Sequence, residues 1–112
     1  YGAPIDGGPM GMIYRTDIFE EYGITPPTTW EEFEDVARST REAGGPFFAS
    51  FAANQPAYVT ALMYQTGAQP FIYSPENEGE IEINLDDQRI KDMLDYWANL
   101  VSEDLVGTQD QF

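Results

Sequence analysis

The chain has 112 residues, 42% hydrophobic and 14% aromatic, which indicates one small globular unit and excludes a disordered chain. Its 20 acidic and 5 basic residues give a formal net charge of −15, which disfavours binding to nucleic acid or to an anionic membrane surface. The sequence contains no cysteine and no histidine, which excludes a disulfide framework, histidine-based catalysis and most transition-metal sites.

The first elements of the chain are a turn-rich segment, a strand and a short helix. Residues 1–9 carry three glycines and two prolines and are typical of an irregular crossing segment. The pair Gly7-Gly8 predicts a turn, because no Gly-Lys-Ser/Thr sequence follows to form a phosphate loop. The alternation over Met10–Tyr14 predicts a strand, and Thr16–Tyr22 predicts a helix that Gly23 ends.

A second helix follows a double proline, Pro26-Pro27, through which no helix can continue. Thr29 is a predicted N-cap, and Glu32 stands three residues later, where it can complete a capping box. The apolar spacing predicts an amphipathic helix from Trp30 to Ala43, with most of its aromatic side chains used for packing.

The next apolar run, Phe47–Phe51, predicts a strand that is buried on both faces. Strand, helix and strand in this order favour a parallel sheet. A third helix begins after Asn54 or Gln55, with Pro56 in an early position where its missing N–H costs nothing, and Gly67 ends it.

Three side chains at the start of the third helix are candidate ligand contacts. In open α/β sheets, ligands bind at the carboxyl ends of strands and against helix N-termini. Asn54, Gln55 and Tyr58 occupy that position in the sequence. The alternative is that Asn54 only caps the helix and Tyr58 only packs against its neighbours.

The last third of the chain predicts a hairpin and a long helix. Phe71–Tyr73 and Glu80–Leu85 are predicted strands joined by a turn. The alternate glutamates from Glu76 to Glu82 lack the spacing of a calcium loop and indicate a solvated edge. The final helix begins near Asp86-Asp87, and its apolar stripe runs to Leu105.

Two motifs together resemble a known family. The run from Tyr14 to Phe19 is Tyr-Arg-Thr-Asp-Ile-Phe, and Pro26 to Glu32 is Pro-Pro-Thr-Thr-Trp-Glu-Glu. Their order and spacing resemble the extracellular solute-binding proteins of bacterial ABC transporters, in the maltose-binding-protein-like branch. The resemblance implies an α/β fold: a periplasmic-binding-protein-like lobe of three layers with a mostly parallel sheet, plus a short β-hairpin.

The resemblance also predicts how the chain relates to a larger protein. It implies that residues 1–112 are part of the second, C-terminal lobe of a two-lobe solute-binding protein, with the first lobe and the remaining helices absent. Tyr1 is not an initiator methionine, which agrees with an excised piece.

The same resemblance implies a set of ligand-binding residues. In the family the first segment crosses between the lobes and borders the cleft, so Asp6 and Gly8 become expected cleft residues. Gln55-Pro56 aligns with a Glu-Pro-Tyr pattern in which the acid bonds to sugar hydroxyls and the tyrosine stacks on a sugar ring. Here Gln55 replaces the acid, Ala57 stands at the aromatic position, and Tyr58 follows one residue later. Whether Tyr58 takes over the stacking role is left open by the sequence.

The function that the resemblance implies is binding without chemistry. A sugar or oligosaccharide is held between two lobes and delivered to ABC transporter permease subunits, in the periplasm or at the cell surface on a lipid anchor. No enzyme activity, cofactor or metal is expected, and no nucleic acid is a partner. Two alternatives stay open: a carbohydrate-active hydrolase with paired carboxylates, and an interaction domain with an acidic face.

Overall fold

The computed structural model of the chain describes residues 10–76 and 79–109, and these ranges contain four α-helices and four short β-strands. In chain order the elements are α1 (Thr16–Glu21), α2 (Trp30–Glu42), β1 (Ser50–Phe51), α3 (Pro56–Gln65), β2 (Phe71–Tyr73), β3 (Ile81–Ile83), α4 (Gln88–Ser102) and β4 (Gly107–Thr108). Within these ranges, no helix is both long and apolar enough to cross a lipid bilayer.

The strands form two separate pairs. β1 and β4 are parallel, with Ser50 opposite Gly107 and Phe51 opposite Thr108. β2 and β3 are antiparallel, with Phe71 opposite Ile83, which confirms the predicted hairpin. The chain is therefore a mixed α/β structure with a small parallel sheet, and the three-layer, mostly parallel lobe remains a prediction.

The core lies where α2, α3 and α4 meet the parallel strand pair. Its buried members come from the three helices and from the turn before β4: Phe33, Ala37, Leu62, Trp97, Leu100, Leu105 and Val106. The apolar stripes of α2 and α4 supply most of these side chains, as their helical spacing predicts. This core fixes the positions of the strand ends and of the first turn of α3.

The second helix begins where the capping-box sequence places it. Thr29 Oγ1 accepts the Glu32 N–H at 3.1 Å, and the Glu32 carboxylate accepts the Thr29 N–H at 3.3 Å. The same carboxylate accepts the Thr28 N–H at 2.6 Å, and these bonds to the backbone and hydroxyl of Thr28 lower the pKa of Glu32. The double proline and the capping box together fix where α2 starts.

Arg41 joins three parts of the fold near the end of α2. Its guanidinium donates to the Asp104 carbonyl at 2.8 Å and to the Gly45 carbonyl at 2.9 Å, and it pairs with the Asp104 carboxylate. It also lies 4.6 Å from the centre of the Phe47 ring, in cation–π contact. These contacts hold the turn after α4 beside the segment that leads into β1.

The predicted strand over Met10–Tyr14 is wrong for the described residues. The segment has no partner strand among them, and Ile13 is 99% exposed. Tyr14 instead stacks on Phe19 of α1, with ring centroids 4.4 Å apart. A strand needs a neighbouring ladder, and sequence alternation alone does not supply one.

The predicted strand Phe47–Phe51 is shortened to its last two residues. Its partner β4 begins only at Gly107, so the ladder starts at Ser50, which is exposed. Phe47 is half-exposed, and its ring lies against Gly107, where an added Cβ would come within 3.2 Å of the ring. The expectation of burial on both faces is therefore wrong for this run.

The helical stripe predicted to reach Leu105 ends earlier. α4 ends at Ser102, because Asp104 adopts a positive φ of 60° and breaks the helix. The N–H groups of Leu105 and Val106 turn back to the Leu100 carbonyl at 2.9 and 3.4 Å. Leu105 still reaches the core, but from a turn, and the residues after it form β4.

Candidate functional site

The candidate site begins where β1 ends and α3 starts. Ala52 is buried, and its carbonyl accepts the Gln55 N–H at 3.1 Å, which closes the connecting turn. Gln55 is the N-cap of α3 with an extended backbone, and Pro56 occupies the first turn as predicted. The Gln55 side chain makes no capping hydrogen bond, so its amide is not used to start the helix.

The structure places three of the five predicted site residues on this turn. Asn54 is exposed, and Gln55 and Tyr58 are partly buried, all within five consecutive positions of the chain. Asp6 and Gly8 lie outside the described residues, so their place at a cleft remains a prediction. Ala57, at the aromatic position of the family pattern, is exposed.

Tyr58 belongs to a cluster of three aromatic rings. Its ring meets Phe51 edge-on at 5.9 Å and Trp97 edge-on at 6.5 Å. Phe51 and Trp97 stack on each other at 5.0 Å, with their planes 17° apart. Tyr58 therefore packs, as the alternative holds, but its ring is only partly covered and its remaining surface is available to a ligand.

Burial raises the pKa of the Tyr58 hydroxyl above its usual value. The phenol stays protonated at neutral pH and can donate one hydrogen bond while accepting others. An aromatic face beside a neutral hydroxyl and an uncommitted amide suits an uncharged ligand that carries both apolar faces and hydroxyl groups.

A groove of about 840 Å³ opens on one side of this cluster. Its walls include Tyr58, Trp97, Trp30 and Phe33, together with residues 10–15. This volume is within the range of small-molecule pockets. Asn54 and Gln55 are not among the lining residues, so of the three described candidates the groove contains Tyr58, and the other two lie outside it at the start of α3.

Two polar residues that the sequence pattern did not indicate lie at the same edge of the sheet. Thr108 ends β4 opposite Phe51, and the Gln109 N–H donates to the Phe51 carbonyl at 3.2 Å. Both residues are exposed. Leu105 and Val106, directly before them, are apolar and could have indicated a buried turn that leads into a strand. Leu105 also continues the apolar spacing of α4, so the sequence favoured a helix there.

The carboxyl groups whose pKa is displaced have structural partners. A hydrogen bond from Arg15 lowers the pKa of Asp17 to about 2, and hydrogen bonds from the side chain and N–H of Arg89 lower the pKa of Asp87 to about 2. A catalytic acid needs a displacement in the opposite direction. Within residues 10–76 and 79–109, no three metal-ligating side chains gather into a cluster.

A family profile described as bacterial extracellular solute-binding protein matches residues 1–110. The chain belongs to that family. This assignment agrees with the two motifs in the sequence and with a small parallel sheet whose carboxyl edge carries polar side chains.

Curated relatives of this solute-binding chain are similar over most of its length. It is 28% identical over 107 residues to the lactose-binding protein of Rhizobium radiobacter, covering 92% of the chain and 24% of that protein. It is 24% identical over 111 residues to the putative ABC transporter periplasmic-binding protein YcjN of Escherichia coli K12, covering 97% and 25%. A putative binding protein of Brucella abortus is 39% identical over 46 residues, or 40% of the chain and 11% of that protein.

The chain spans about a quarter of the length of the first two relatives. No solved structure matches it significantly.

Proposed function

We propose that this chain is part of the substrate-binding component of an ABC importer, and that its ligand is a sugar or oligosaccharide. The observation that carries the proposal is the partly exposed ring of Tyr58, three residues after Gln55, whose amide makes no capping hydrogen bond, at the carboxyl edge of a parallel strand pair. In a solute-binding chain, that combination fits a ligand with hydroxyl groups and apolar ring faces. The name of the lactose-binding relative supports a sugar as the ligand class.

The proposed binding mode assigns a different task to each residue type. The exposed part of the Tyr58 ring takes the apolar face of a sugar, and its hydroxyl bonds to a ring substituent. The amides of Asn54 and Gln55 exchange hydrogen bonds with sugar hydroxyls, because an amide can donate and accept at the same time. Asp6 and Gly8 complete the site from the crossing segment, where a carboxylate can accept bonds from two neighbouring hydroxyls.

The wider arrangement follows from the same proposal. Residues 1–112 form part of the second lobe, and the ligand is closed between this lobe and the first by a hinge motion. The closed protein then docks on the permease subunits. The location is extracytoplasmic, either in the periplasm or at the cell surface on a lipid anchor, and the protein binds its ligand without a cofactor and without changing it.

The test is a panel of sugars on the intact protein, read by thermal shift and by chromatography of the sugar after incubation. We expect one sugar class to raise the melting temperature in a saturable way, since a ligand at 100 times its Kd adds roughly 2.7 kcal/mol of stability. The sugar should be recovered unchanged.

The site assignment is tested in the same assay with two glutamine variants. Gln55→Ala should weaken the shift, whereas Gln69→Ala, an exposed glutamine beyond the other end of α3, should not. If no sugar in the panel stabilises the protein, the sugar-binding proposal is wrong. If the sugar is cleaved catalytically, the chain is a hydrolase and the binding-only proposal fails.

A further inference from the structure

The parallel pairing of β1 and β4 brings a second segment to the edge of the sheet that carries the candidate site. Parallel strands end at the same edge, so the carboxyl end of β4 lies beside the carboxyl end of β1. The Gln109 N–H donates to the Phe51 carbonyl at 3.2 Å, which continues the ladder past the last paired residues. Thr108 and Gln109 are therefore neighbours of the turn that leads to Gln55.

The strand register fixes the face on which the Thr108 side chain lies. Residues opposite each other in a ladder present their side chains to the same face of the sheet. Thr108 is opposite Phe51, and the Phe51 ring packs against Tyr58 and Trp97. The Thr108 hydroxyl consequently lies on the Tyr58 side of the sheet, and Gln109 follows directly after the end of β4.

Neither side chain is used by the fold in the part of the chain that the structure describes. Both residues are exposed, and within residues 10–76 and 79–109 no hydrogen bond or ion pair involves the Thr108 hydroxyl or the Gln109 amide. The ladder needs only their main-chain groups. A hydroxyl and an amide are thus fixed by the backbone and available to a ligand.

We propose that Thr108 and Gln109 form a second ligand-binding segment, and that the ligand spans the carboxyl ends of β1 and β4. The α3 side supplies the aromatic ring and one pair of amides, and the end of β4 with the residue after it supplies a hydroxyl and a further amide on the other side of the ligand. The chemistry fits a polyhydroxylated, uncharged ligand. This inference rests on the proposed sugar-binding function.

The experiment is calorimetric titration of the intact protein with lactose, maltose and raffinose, using whichever binds the parent protein. Thr108→Val removes the hydroxyl and keeps the branched shape of a strand residue, and Gln109→Ala removes the amide. Each should weaken binding roughly tenfold, the effect of losing one or two neutral hydrogen bonds. Thr108→Ser keeps the hydroxyl and should bind the sugar with the affinity of the parent. If Thr108 acted only through its branched shape in the strand, Thr108→Val would preserve binding instead.

Matched substitutions away from the site are the controls. Thr25→Val and Gln69→Ala change the same residue types at exposed positions in other parts of the chain, and binding should stay within about twofold of the parent. If Thr108→Val and Gln109→Ala also stay within that range while Tyr58→Ala loses binding, the ligand does not reach β4 and this inference is wrong. If none of these sugars binds the parent protein, the inference is overturned together with the proposed function.

Discussion

Replacing Trp97 with alanine should remove a large part of the stability of this chain. The indole is 3% exposed, and five other rings lie with their centroids within 6.5 Å of it. Loss of a buried tryptophan costs about 3–5 kcal/mol, through lost transfer free energy and the cavity left behind. Domains of this size are stable by about 5–15 kcal/mol, so the variant loses roughly a fifth of the total at the least and nearly all of it at the most.

Urea unfolding followed by circular dichroism measures this effect. With a denaturant slope of about 1–1.5 kcal/mol per molar urea for a small domain, the midpoint should fall by about 3 M. Trp30 is the matched control, since its indole is 42% exposed and caps the edge of the same cluster. Trp30→Ala should cost about half as much, in proportion to the buried area lost. A midpoint for Trp97→Ala within about 0.5 M of the parent would show that the ring cluster is not the centre of the core.

Three further substitutions test local features of the fold. Thr29→Ala removes the N-cap of α2 and should cost about 1 kcal/mol in urea unfolding, whereas Thr29→Ser should be neutral. Gly45→Ala places a Cβ 2.8 Å from the Thr40 carbonyl, which cannot move without disturbing the helix, so we expect a loss of about 1–3 kcal/mol and not a neutral change. The Asp87 carboxylate, whose pKa Arg89 lowers to about 2, stabilises the folded state fully above its usual pKa of about 3.9, and this contribution should disappear as the pH falls from about 4 to 2. Asp87→Asn should flatten that part of the pH dependence of the urea midpoint.

The helices were predictable from the sequence because their signals are local. Thr29 with Glu32 fixes one helix start, and glycines with positive φ stop α1 and α3 within a residue or two of the predicted ends. The hairpin was also predictable, since its two strands are close in sequence and alternate clearly.

The parallel strands were not predictable to the same degree because they depend on distant pairing. β4 was missed: Leu105 continues the helical spacing of α4, while Asp104 ends that helix through a backbone conformation that non-glycine residues rarely adopt. β1 pairs only where β4 lies beside it, so its length depends on where β4 begins. Because β4 was not predicted, the length of β1 was predicted wrongly as well.

The candidate site was partly visible in the sequence. Asn54, Gln55 and Tyr58 were predicted because they stand where an apolar run gives way to a helix, and the structure has them at that junction, while their contact with a ligand stays a prediction. Thr108 and Gln109 were missed because only the β1–β4 pairing brings them there. The covering of Tyr58 by Phe51 and Trp97 likewise requires tertiary structure.

The central claim is that the start of α3 holds a ligand, and titration of two tyrosine variants tests it most directly. Tyr58→Ala and Tyr64→Ala make the same change near opposite ends of one helix, and Tyr64 is about half exposed. In calorimetry of the intact protein with its sugar, Tyr58→Ala should weaken binding at least tenfold, and Tyr64→Ala should leave the Kd within about twofold. Equal affinities for the two variants and the parent protein would contradict the claim.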